Sequence, residues 1–249
     1  MPESNQLDLT PIWARPEPAA RQPRFSRDRI AAAALGIADA EGFEAVSMRR
    51  IAAVLGAGTM SLYRYIATRA DLLALIDDAL LGEALVPDPL PADWREALAL
   101  VARQTRAAYL RHPWAVQLLQ GRSAPQAAAV GPNALRHFEQ SLAALAAAPL
   151  DNTARLDLLA MVDDYVIGHL VRAGEVAELA RAAAGDAAAA LDRFVSSGLE
   201  TGEFPQITAM ASEGWARQFA DPARTAERFE RGLRLLIDGV VADGDAGAS

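Results

Sequence analysis

Apolar residues recur along most of this chain at spacings of three and four, and nowhere do they alternate strictly as in a half-buried strand. Ile30, Ala33, Ala34, Ile37 and Ala38 predict a first helix from Ser26 to Glu41, ended by Gly42, with Phe43 and Val46 plugging a small core. Ser47 can cap a second helix on which Ile51 and Leu55 share a face, and Gly56 is placed to end it with a positive φ. Leu62 with Tyr65 or Ile66 gives a short third helix its inner face. Thr68 then caps a fourth, with Leu72, Leu75, Ile76 and Leu80 inward. The proline-rich run from Val86 to Pro91 is a clear break.

Helical spacing resumes beyond it. Asp93 to Arg111 carries Trp94, Leu98, Val101, Thr105 and Tyr109 or Ala108, and His112-Pro113-Trp114 breaks it before a short helix to Leu119. Further helices are predicted from Ala134 to Ala147 (Leu135, Phe138, Leu142, Leu145 inward) and from Asn152 to about Ala183 (Leu156, Leu159, Val162, Val166, Leu170). Ala187 to Gly198 follows. Ala223 to Ala242 closes the set, with Phe229, Leu233, Leu236, Ile237 and Val240. The stretches Gly121–Gly131 and Gly202–Pro222 read as irregular loops. Residues 1–23, with five prolines and no period, read as a flexible arm in which Ile12-Trp13 is either an anchor or incidental. Arg21, Arg24 and Arg27 could reach phosphates from that arm or belong to a solvated linker. The fold class expected is all-α.

The most specific stretch is Ser47 to Ile66. Two helices joined by a short turn containing glycine suit a helix-turn-helix seated in a DNA major groove. The second carries Thr59, Met60, Ser61, Tyr63 and Arg64 outward, a set able to reach phosphates and base edges. An ordinary helical hairpin is the plainer alternative. Ala52 where two helices must approach, Gly56 at the turn and the triplet Tyr63-Arg64-Tyr65 together favour DNA.

Ser47-Met48-Arg49-Arg50-Ile51-Ala52, Leu55-Gly56, Ser61-Leu62-Tyr63-Arg64-Tyr65 and Arg69-Ala70-Asp71-Leu72-Leu73 resemble the signature of the tetracycline-repressor (TetR) family, over roughly Arg24 to Leu85. Met60 to Tyr65 resembles the branch common in high-GC bacteria. The resemblance implies a three-helix DNA-binding head at residues 24–86 and a helical ligand-binding and dimerisation domain at residues 87–249. It also implies a regulator, as repressor or activator, that binds a palindromic operator as a homodimer and is released by a small-molecule effector. Carried over by position, Tyr63, Tyr65 and Arg69 meet phosphate, helped by the peptide N–H groups that open the fourth helix. Ser47, Arg49, Thr59, Met60, Ser61 and Arg64 complete the DNA-contacting set, and Gly58 and Met60 depart from the commoner residues there. Two late helices from each subunit are expected to form a four-helix seam, with Leu233, Leu236, Ile237 and Val240 in it.

Charge sharpens this picture. All 24 cationic residues are arginine, and the net charge is −8. Residues 1–70 hold nine arginines against seven acids (+2), and residues 71–249 hold fifteen against twenty-five (−10). DNA affinity depends on local phosphate neutralisation, so the uneven split matters more than the total. The chain has no cysteine, no signal-like start and no long uncharged apolar run, so a cytoplasmic protein without disulfides or membrane spans is expected. No metal or cofactor is called for: His112, His137 and His169 lie far apart, and Gly56-Ala57-Gly58 follows a helix and lacks a third glycine. Met161, Asp164, Tyr165 and His169 share a helix face and suit either an effector pocket or a helix seam. Tyr109, Trp114, Phe138, Trp94 and Trp215 are candidate apolar walls. The rival class is a helical enzyme using Asp163, Asp164 and His169 as acid-base groups, although no residue pattern positions a nucleophile.

Overall fold

The computed structural model describes residues 11–18, 25–120, 130–182, 186–211 and 221–246, and the chain divides into two compact units, Met1–Ala148 and Pro149–Ser249. Among the described residues every regular element is helical: α1 Arg27–Glu41, α2 Met48–Val54, α3 Thr59–Leu62, α4 Arg69–Ala84, α5 Trp94–Arg111, α6 Val116–Gln120, α7 Pro132–Ala144, α8 Asn152–Ala182, α9 Asp186–Glu200, α10 Pro205–Ala211 and α11 Pro222–Ala246.

Local chemistry sets the helix ends. The hydroxyls of Ser26 and Ser47 accept the N–H groups of Arg29 and Arg50, each at 3.2 Å, capping α1 and α2. At the end of α2, Gly56 takes φ 62°, its N–H donates to the Ala53 carbonyl and that of Ala57 to Ala52. This closed C-cap needs a residue that tolerates positive φ. Thr68 and Asp71 form a reciprocal capping box on α4, and Asp71 also accepts the Ala67 N–H at 2.9 Å.

α4 is the spine of the first unit. It packs on α1, α5 and α7, with Leu72, Leu75, Ile76 and Leu80 buried. Its Asp78 is buried and accepts the Asn133 and Ala134 N–H groups at 3.0 and 2.9 Å, capping α7. The proline-rich break after Val86 is present, and it is pinned: Val86 exchanges two hydrogen bonds with the Gln140 side chain, at 2.8 and 2.7 Å. The compact unit therefore runs through that break to Ala148, since α4 has partners on both sides of it.

Several expectations need correction. Residues 11–18 are docked: Ile12 is 1% exposed, Arg15 pairs with Asp71, and Glu17 accepts the Arg27 N–H at 2.8 Å. Arg27 is itself buried, its guanidinium donating to the Arg15 carbonyl, so it is not available to phosphate. Arg21, Arg24, Trp215 and most of the Gly121–Gly131 loop lie outside the described residues. Phe43 stacks on Trp114 instead of plugging the head core. Leu135, Phe138 and Leu156 are exposed, because α7 and α8 turn neighbouring residues (Ser141, Ala144, Leu145; Leu158, Leu159) inward. The predicted Gly202–Pro222 loop contains α10.

In the second unit α8 packs on α11. Leu159, Val162, Val166 and Leu170 of α8, and Phe229, Leu233 and Ile237 of α11, are all buried. The Tyr165 ring lies where a Cβ on Gly232 would stand, so only glycine fits there. The Tyr165 hydroxyl donates to the Arg228 and Phe229 carbonyls at 3.2 and 3.1 Å.

Asp71→Ala removes a cap and the partner of Arg15 together. It should lower stability by about 2 kcal/mol, read from the urea midpoint at unchanged m.

Candidate nucleic-acid interface

The turn after α2 projects α3 outward, and the split between its faces is sharp. Leu62, Tyr65 and Ile66 are buried, while Met60, Ser61, Tyr63 and Arg64 are exposed, Met60 at 78%. Tyr65 thus lies in the head core, as the inner-face reading of its spacing has it, which leaves little of it for the phosphate contact that the resemblance implies; past Leu62 the chain runs in hydrogen-bonded turns. Arg49 is exposed on α2 and Arg69 on α4.

An open cleft of about 470 Å³ separates these elements, lined by Ser47, Arg49, Thr59, Tyr63, Thr68 and Arg69 among others. Three hydroxyl-bearing residues, two guanidinium-bearing ones, a phenol and the start of α4 converge there, a donor set suited to phosphate oxygens. Ser47 is at once cap and cleft wall, and Arg50 beside it chelates Glu41 at 2.6–3.1 Å. Those bonds hold the Glu41 carboxyl below its ordinary pKa. The paired Arg50 thus stands apart from exposed Arg49 and Arg64.

The residues read as effector contacts separate into two kinds. Tyr109 and Trp114 are buried and tied to carboxylates: the Tyr109 hydroxyl donates to Asp77 at 3.4 Å, and the Trp114 indole N–H donates to Asp39 at 2.7 Å. Trp94 is likewise buried. These are internal ties. Tyr165 and His169 pack against Phe229, at ring separations of 5.5 and 4.8 Å, which is the helix-seam alternative for that face. Phe138 in the first unit and Met161 and Asp164 in the second keep open surface. The acid-base trio of the enzyme reading is not a constellation: the His169 ring is spent on Phe229, and the two aspartates stand exposed.

A family profile described as "Tetracyclin repressor-like, C-terminal domain" matches residues 86–243. The HTH-type transcriptional repressor DrrR1 of Streptomyces coeruleorubidus is 34% identical over 228 residues, which are 88% of this chain and 78% of that protein. The chain belongs to the tetracycline-repressor family. Two crystal structures of the TetR-family protein ActR of Streptomyces coelicolor superimpose on it. The complex with (S)-DNPA has a TM-score of 0.65 at 26% identity, covering 89% of this chain and all of that one. The complex with actinorhodin has a TM-score of 0.64 at 28% identity, covering 89% and 98%.

As a TetR-family member the chain is a ligand-responsive transcriptional regulator whose partners are operator DNA, a small-molecule effector and a second copy of itself. Among the described residues no helix is long and apolar enough to cross a membrane. Of the residues read as its dimer seam, Leu233 and Ile237 are buried against their own subunit, and Leu236 and Val240 are half-buried. Leu235, which was not singled out, is 68% exposed on the opposite side of α11.

The Asp163 carboxyl is pushed up to about 6, first by desolvation and then by the adjacent Asp164 charge. A raised carboxyl favours the fold fully below the unfolded pKa and loses that contribution as pH rises through about 6. Asp163→Asn should therefore raise the melting temperature at pH 7.5, with the gain shrinking toward pH 4; scanning calorimetry checks both. Because the residue as a whole keeps open surface, the gain should be modest.

Proposed function

We propose that this chain is a repressor that grips a palindromic operator with two copies of the α2–α3 head and releases it when an effector binds. The observation that carries this reading is the cleft of Ser47, Arg49, Thr59, Tyr63, Thr68 and Arg69 beside the exposed α3 face. Tyr63, Arg69 and the opening N–H groups of α4 hold phosphate and set register. Arg49, Met60, Ser61 and Arg64 face the groove and read bases. One short helix reads few bases, so a tight site needs two linked heads, with half-sites on the order of 34–36 Å apart or a multiple of it.

Within the second unit, Met161 offers open apolar surface to an effector, and Asp164 a carboxylate. ActR was crystallised with actinorhodin, which makes that compound the first to try. Selection of bound duplexes from a random library, followed by footprinting, tests the reading. A palindromic consensus protected on both half-sites is expected, and recovery of no consensus would sink it.

The two classes of contact should separate on mutation. Arg69→Ala should weaken binding to every sequence and reduce the salt slope by about one, whereas Arg64→Ala should relax base preference at one position of each half-site, at a cost of about 1–3 kcal/mol. Titrations at several salt concentrations against consensus and scrambled duplexes check this.

The dimer is assigned to the outward side of α11. Leu235→Glu should give a folded monomer that has lost operator binding, while Leu233→Glu, which buries a charge within one subunit, should unfold the second unit. Light scattering with circular dichroism distinguishes them; a Leu235→Glu protein that stays dimeric would move the seam elsewhere.

A further inference from the structure

His112 sits at the end of α5 with its ring buried between two acids from different helices. Its Nδ1 is 2.7 Å from Asp39 Oδ1 of α1, and its Nε2 is 3.0 Å from Glu83 Oε2 of α4. A carboxylate only accepts hydrogen bonds, so both ring nitrogens must donate, and only the protonated ring has two N–H groups. A neutral ring would turn a lone pair toward one of the acids.

The cluster around it spans the unit. The Asp39 oxygen that meets His112 also accepts the Trp114 indole N–H at 2.7 Å, and Trp114 stacks on Phe43 at 5.5 Å with rings 2° from parallel. The Glu83 oxygen that meets His112 also accepts from Arg111 at 3.1 Å. The charged groups facing His112 are thus Asp39 from α1, Glu83 from α4 and, beyond Glu83, Arg111 from α5. The 3-10 turn Pro113–Ala115 contributes no charge. His112 and Trp114 together tie the end of α1 and the turn after it, both parts of the DNA-binding head, to the α5–α6 corner of the regulatory body.

We propose that His112 is a proton-dependent latch that fixes the head on the body, so that operator affinity falls as pH rises. This rests on the operator-binding reading above. Binding two half-sites at once rewards heads already held at one spacing, because the cost of ordering them is met before DNA arrives. Burial of the ring works against its charge, but the hydrogen bonds and charges of Asp39 and Glu83 outweigh burial and raise its pKa. By the sign of that shift, the latch is fully closed below the ordinary histidine value and opens as pH climbs through the raised one. Both acids are partly open to water, so a loss of affinity of about three- to tenfold is expected between pH 6 and pH 8.5.

The test measures affinity for the selected operator across that range at fixed salt, in wild type, His112→Gln and His112→Lys. Wild type should weaken with pH. His112→Gln should be weak and flat, and His112→Lys, charged throughout, should be flat and near the acid wild-type value. A wild-type slope surviving in His112→Gln or His112→Lys overturns the proposal. A ring NMR titration of wild type is independent of DNA and of how the variants fold. His112 should titrate above the ordinary value, and His137, half-buried on α7 with its ring on Thr105 of α5, below it. A His112 ring that titrates below its ordinary value overturns the latch. Failure of every form to bind any duplex, with His112 still titrating high, would instead refute the operator reading.

Discussion

The first unit depends on how α4 disposes of its carboxylates. An apolar helix packed on several sides cannot bury acids unless each finds donors. α4 carries Asp71, Asp77, Asp78 and Glu83, and each accepts from a different part of the chain. Asp71 takes the Ala67 and Thr68 N–H groups and the Arg15 guanidinium. Asp77 takes the Tyr109 hydroxyl, Asp78 the open N-terminus of α7, and Glu83 His112 and Arg111. Burial raises the Asp78 pKa, and the two α7 N–H groups pull it back. Hydrophobic burial brings α1, α5 and α7 onto α4, while these polar ties fix where along α4 each of them stops.

This explains why the head was legible in the sequence and the joints were not. Caps, helix-ending glycines and the apolar stripe of α4 are local, so Ser47, Gly56 and Thr68 announced themselves by spacing alone. Spacing places Tyr65 or Ile66 inward, and both are buried; what spacing does not give is the phosphate contact carried over to Tyr65 from the resemblance. Asp39, Glu83 and His112 are separated by tens of residues, and no pattern in one sequence brings them together. The Thr68-x-x-Asp71 box was available to be read, and it would have pointed to Asp71 as a buried acid in need of a cation.

The apolar stripes of α8 and α11 show a second limit. A helix face that reads apolar does not say whose surface covers it. Phe229, Leu233 and Ile237 are covered by the same chain, and the Tyr165 ring occupies the space that a side chain at Gly232 would need. On the opposite side of α11, where the dimer is proposed, Leu235 stands beside Arg231 and Arg234. An apolar residue flanked by cations suits a seam with a buried centre and a solvated rim.

The two ends of α4 carry the two sites proposed above. Its first turn holds Arg69 and the N–H groups assigned to phosphate, and its last turn holds Glu83 in the His112 cluster. Sixteen residues of α-helix span about 24 Å. A change at the α5–α6 corner that released Glu83 and Asp39 would let that helix tilt, and a small rotation at one end becomes a displaced phosphate contact at the other. An effector needs no contact with the head to do this. It needs only to bind more tightly to a body whose α5–α6 corner has moved, and its leverage over DNA is that difference in affinity and no more.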